Sequence, residues 1–162
     1  MFRRFRLVSL HGLWPFTHDR IKSLVIVNLE RKHEDALVEY IWNKSQDLPL
    51  HFYPDRSDIQ KELRRWPGLD GSTFYVALDR HGNIKGCVAP WNPNPVQTTM
   101  VDRYHTPSRT LKEGLSLLSW LGLTRVLPKQ GRPLQFKHLT HLYADNPDIF
   151  SNLLIHAYSR CT

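Results

Sequence analysis

Residues 133–160 constrain this chain more than any other stretch, because they read as a strand running through a very short turn into a helix. Residues 134–143 (Leu-Gln-Phe-Lys-His-Leu-Thr-His-Leu-Tyr) alternate large apolar and polar side chains, and the alternation breaks at the Leu142-Tyr143 pair. Gly131 and Pro133 bound the stretch before, and Asp145-Asn146-Pro147 bound it after. Asn146 suits a helix N-cap, Pro147 the first helical position and Asp148 the positive end of the helix dipole. Ile149, Leu153, Leu154 and Ala157 then recur at helical spacing. A strand that feeds straight into a helix start is where many α/β proteins hold an anion, since the first backbone N–H groups of a helix lack intrahelical acceptors.

The rest of the chain sets the frame for that stretch. Its 162 residues suit one domain with a sizeable core, and no apolar run is long enough to cross a bilayer. Residues 1–8 begin with a basic cluster, but His11, Gly12 and Pro15 interrupt what a signal peptide would need as its apolar centre. Cys87 and Cys161 have no metal-ligand spacing, so neither a disulfide framework nor a metal site is expected and the expected location is cytoplasmic. The net charge of +7 favours acidic partners. The basic residues read as dispersed, with pairs at Arg3-Arg4, Arg31-Lys32 and Arg64-Arg65 and no block interleaved with aromatics. Neither a specific nucleic-acid partner nor a membrane partner is therefore expected.

Taken in order, residues 2–8 and 21–29 read as strands, the second rich in β-branched residues. Residues 34–44 read as an amphipathic helix with Leu37, Tyr40 and Ile41 on one face. Residues 48–54 read as a loop whose Phe52 and Tyr53 are packing groups. Ser57-Asp58-Ile59-Gln60 has the form of a capping box and opens a helix that stops before Pro67-Gly68. Residues 73–79 and 84–90 read as a hairpin around Arg80-His81-Gly82-Asn83. A proline-rich loop precedes a helix that starts at Thr106-Pro107, with Leu111, Leu115, Leu118, Trp120 and Leu121 as its apolar face.

This order of strand, helix, helix, hairpin, insertion, strand and helix resembles the GNAT superfamily of N-acetyltransferases. The resemblance is strongest over residues 73–160. Residues 74–79 (Phe-Tyr-Val-Ala-Leu-Asp) and 82–89 (Gly-Asn-Ile-Lys-Gly-Cys-Val-Ala) look like that fold's second and third strands. Trp91-Asn92, Gln97-Thr98, Val101, Tyr104, Leu127-Pro128, Gly131 and Pro133-Leu134 resemble the C-terminal half of bacterial tandem-GNAT proteins, which insert a helical segment between the third and fourth strands. Asn92 and Val96 depart from that group, which tends to carry an acidic residue and a lysine there. The expected fold class is α/β in an α+β layering: a mixed, mostly antiparallel sheet flanked by helices, GNAT-like and lacking the last strands. Residues 1–20 would be an N-terminal strand and linker, and 21–162 the GNAT-like domain with an insert at about 92–132.

What the resemblance implies about function is acyl transfer from acetyl-CoA to an amine. Three readings stay open: an N-acetyltransferase, a non-catalytic GNAT-like module that supports a catalytic partner domain, and a basic nucleic-acid-binding domain. The expected partner is a second GNAT domain or another copy of the chain, engaged through an open sheet edge. By resemblance, acetyl-CoA would lie along Leu142, Tyr143, Ala144 and Asn146. Yet residues 144–148 (Ala-Asp-Asn-Pro-Asp) have neither the glycines nor the basic residue of the family's pyrophosphate turn, Pro147 has no N–H, and two aspartates add negative charge. His138 and His141 are the candidate general bases. Three residues apart on a regular strand, they would face opposite sides unless a bulge intervened. Either also reads as a packed or surface histidine. Cys87 reads as a buried apolar group.

Overall fold

The computed structural model describes residues 24–46, 53–121 and 127–161. Two compact units divide the chain. The larger comprises Thr17–Thr98 and Gln135–Thr162, and the smaller Met1–Phe16 and Thr99–Leu134. The expected strand at residues 2–8 lies outside the described residues.

The larger unit is built on four antiparallel strands: β1 (Val25–Asn28), β2 (Tyr75–Leu78), β3 (Ile84–Trp91) and β4 (His138–Ala144), neighbours in that order. Helices α1 (Glu34–Gln46) and α2 (Arg56–Arg65) follow β1, and α4 (Pro147–Cys161) follows β4. The expected hairpin forms with Val76 opposite Cys87. The Asp79 carboxylate accepts from the backbone N–H groups of His81 and Asn83, both at 2.9 Å, which wraps the turn around Gly82 at φ 81°.

Strand alternation sorts the apolar residues onto two faces. Phe74, Val76, Ile84, Cys87 and Ala89 pack with Leu37, Val38 and Ile41 of α1 and Ile59 of α2. Ala77 and Val88 pack with Ile149, Leu153 and Ala157 of α4. The unit is thus an α+β sandwich with helices on both faces of the sheet. Gly86 sets how closely α4 approaches: a Cβ there would lie 2.6 Å from Leu153 Cδ1, 2.8 Å from Ile149 Cγ2 and 3.0 Å from the Tyr143 carbonyl oxygen.

Two expectations need correction. The strand read at residues 134–143 begins only at His138, because Leu134 donates its N–H to the Thr99 carbonyl within the smaller unit. Helix α2 is capped by Asp55, whose carboxylate accepts from the Ser57 N–H at 2.9 Å, so Ser57 lies inside the helix rather than at its cap.

In the smaller unit, helix α3 (Thr106–Trp120) is bracketed by a bridge between Met100 and Pro133. The Tyr104 hydroxyl donates to the Pro128 carbonyl at 2.7 Å, and the Lys112 ammonium lies 4.7 Å from the Tyr104 ring centre. Most of the face expected on α3 is not buried: Leu111, Leu118 and Trp120 are exposed, as are Leu117 and, just beyond the helix, Leu121, while Leu115 is half-buried. No helix among the described residues is long and apolar enough to cross a membrane.

Gly86→Val should destabilise the protein by about 1–3 kcal/mol, since two side chains and a backbone carbonyl must all give way. Urea unfolding followed by circular dichroism checks this, and wild-type stability in the variant would contradict the close packing of α4 on β3.

Candidate functional site

The candidate residues converge on β4, and its geometry turns on one irregularity. Gly86 pairs with Ala144 and Cys87 with Tyr143, but Ala89 pairs with Thr140. Val88 alone therefore stands opposite both His141 and Leu142, which makes a bulge. His141 takes up the extra residue with φ 51°, a left-handed conformation uncommon outside glycine.

The bulge corrects the expectation that His138 and His141 point to opposite faces. Both meet the aromatic layer on the α1–α2 side of the sheet. His138 stacks on Trp91 with ring centres 6.1 Å apart, and Trp91 packs on Trp66 at 4.7 Å. His141 meets Trp66 edge-on at 6.2 Å and Phe74 at 5.6 Å. Tyr143 packs in the same layer, whereas Leu139, Leu142 and Ala144 pack towards α4. His138 is exposed, with Phe136 edge-on at 5.0 Å.

Hydrogen bonding orients the His141 ring. The Thr140 hydroxyl donates to the Ala89 carbonyl at 3.2 Å, so its oxygen accepts from His141 Nδ1 at 3.1 Å. Nε2 is then left as the acceptor, with the Tyr53 hydroxyl 3.5 Å away. Desolvation among these rings lowers the His141 pKa to about 4. Burial, reinforced by the Glu62 carboxylate, raises that of Tyr53. His141 is therefore neutral near pH 7, but it is a weak base packed beneath aromatic rings. Cys87 is fully buried and donates its S–H towards the His141 carbonyl at 3.3 Å. Burial holds its thiol up at about 12, far from a nucleophile.

The turn after β4 is closed by its own residues. The Asn146 side chain accepts from the Ile149 N–H at 2.9 Å, and its carbonyl accepts from the Phe150 N–H at 3.1 Å. Asp145 turns away from the helix end. Its carboxylate meets the Lys44 ammonium at 2.9 Å and the Lys85 ammonium at 3.6 Å and accepts from the Tyr40 hydroxyl at 3.0 Å. Its backbone N–H donates to the Lys85 carbonyl at 3.0 Å. Desolvation pushes this carboxyl up, but Lys44 and Tyr40 outweigh it and hold it below the ordinary value. The expectation that both aspartates charge the mouth of the turn thus needs amending. Asp148 lies in the first turn of α4, but Asp145 is neutralised by α1 and β3.

Among the cofactor candidates, Leu142 and Ala144 spend their side chains on α4, Tyr143 packs in the aromatic layer and Asn146 caps the helix. Sequence reading missed Tyr53, Trp66 and Trp91 as neighbours of the histidines. The only signal was the broken alternation at Leu142-Tyr143. No group of His, Cys, Asp and Glu that could hold a metal occurs among the described residues. Comparison with protein-family models, with curated proteins and with solved structures found no match for this chain.

His141 makes stability depend on pH with a defined sign. With its folded pKa lowered from 6.5 to about 4, the unfolded chain binds a proton across that window and the folded chain does not. Stability should fall as pH drops from about 6.5 to 4, by at most about 1.4 kcal/mol per pH unit. His141→Asn, whose side chain tolerates the left-handed conformation, should flatten that slope in urea titrations run at several pH values. An unchanged slope would show that His141 does not titrate this way.

Proposed function

We propose that this chain is a GNAT-like module without an acetyl-CoA site of its own, serving as the non-catalytic half that supports a catalytic partner domain. Several features support the GNAT-like part. One strand precedes two helices on one face of the sheet, and an antiparallel hairpin and a fourth strand then lead directly into a helix on the other face. The separate unit at Thr99–Leu134 interrupts the chain between β3 and β4.

The observation that carries the non-catalytic part is the closed turn at α4. A pyrophosphate held at a helix start needs free backbone N–H groups and close approach of the backbone. Here Asn146 takes the Ile149 N–H, Pro147 has none, and Asp148 adds a negative charge. The residues present do not fit the cofactor. The histidines do not restore a catalytic reading, because His141 is a weakened base packed by Trp66 and Phe74. The partner would engage β4, whose outer edge pairs with no strand among the described residues.

Titration calorimetry with acetyl-CoA at about 0.1 M salt, where the general attraction of a basic chain is screened beyond about 10 Å, tests this reading. No measurable heat is expected. A dissociation constant in the low micromolar range would restore the N-acetyltransferase reading. Opening the turn with Asn146→Gly and Pro147→Gly together should create weak binding if only the turn has closed on a GNAT-like scaffold.

A further inference from the structure

A groove lies in the larger unit away from β4. The start of α1, the end of α2 and the segment Trp66–Gly71 border a cavity of about 550 Å³, within the range of small-molecule sites. No residue of β4 or of the turn into α4 lines it, so it is separate from the place where the resemblance would put acetyl-CoA. Its apolar lining consists of Leu29, Leu37, Val38 and Leu69, all buried, with Leu63 and Trp66 half-buried.

Charged groups from three segments meet at the same groove: Glu34 and Asp35 of α1, Arg64 of α2, and Asp70. Three carboxylates thus stand against one guanidinium, and none of the four is in an ion pair among the described residues. Gly71 bears on how the acidic side is placed. Its φ is not left-handed, so the backbone does not require glycine there. A Cβ at that position would lie 2.8 Å from Glu34 Oε1, so the missing side chain is what leaves room for the carboxylate beside the groove. The positive helix end accounts for acidic residues in the first turn of α1, but not for the space that a residue of another segment leaves to one of them.

We propose that this groove binds a small organic cation, with an ammonium group on the Glu34 and Asp35 side and an apolar body against the leucines and Trp66. The excess of carboxylates favours a cation over an anion. No group of His, Cys, Asp and Glu among the described residues could hold a metal, so these carboxylates suit a diffuse organic charge rather than a metal ion. The apolar lining rewards a body that leaves water, and a tryptophan wall adds attraction for an organic cation. Charge and burial carry the recognition, so a quaternary ammonium, which cannot accept an acyl group, fits as well as a primary amine. Binding here is independent of the GNAT-like reading.

Titration of the isotope-labelled full chain, followed by nuclear magnetic resonance of its backbone amides, tests this. The probes are phenylpropylammonium, phenylpropyltrimethylammonium and phenylpropionate, each at up to about 5 mM, the range that suits so small a ligand. Both cations should shift the amide signals of Gly68, Leu69 and Gly71, and the carboxylate should not. Glu34→Gln with Asp35→Asn should weaken cation binding about five- to tenfold. Both residues are exposed, so the far-ultraviolet circular dichroism should stay unchanged. Gly71→Ala keeps every charge but displaces the Glu34 carboxylate, and should weaken binding about twofold or more. Absence of shifts with both cations would overturn the proposal. Equal shifts with phenylpropionate would overturn it too, by showing that the groove reads only the apolar body. Unchanged affinity in the double variant would overturn it as well.

Discussion

The bulge at His141 is the constraint on which the larger unit depends. Strict alternation along β4 would put Leu139 on the same face as His141 and Tyr143. The extra residue instead lets Leu139, Leu142 and Ala144 pack towards α4 while His141 and Tyr143 pack among the aromatics. Both hydrophobic layers are therefore completed by one strand. The cost is a non-glycine residue in the left-handed region, about 1–2 kcal/mol. Ring contacts with Trp66 and Phe74 and the Thr140 hydrogen bond offset it. The low basicity of His141 follows from the same placement, because the rings that hold the bulge also exclude the water a charged imidazole would need.

Much of the architecture was legible because it rests on short-range chemistry. The Asp79 turn, the hairpin runs and the Asn146-Pro147 helix start each declare themselves within a few residues. The bulge left a trace too, in the alternation that breaks at Leu142-Tyr143, but a broken pattern does not say which residue absorbs the slip. Residues 134–137 alternate as a strand does and yet are none, because a strand needs a partner and Leu134 is bonded to Thr99 instead. The opposite error occurred at Ser57. Asp55 is as good a cap, and only the fold decides between neighbours of similar chemistry.

The candidate site was less legible because its partners are distant in sequence. Asp145 beside a helix start reads as a charge aimed at the helix. Its true partners are Tyr40, 105 residues earlier, and Lys44 one helical turn further along α1. This knot ties α1, β3 and the β4–α4 turn together through one carboxylate. The same residues that stabilise the turn leave it poorly suited to an anion. Asn146 satisfies the Ile149 N–H from within, and a phosphate would have to displace that bond rather than fill a gap.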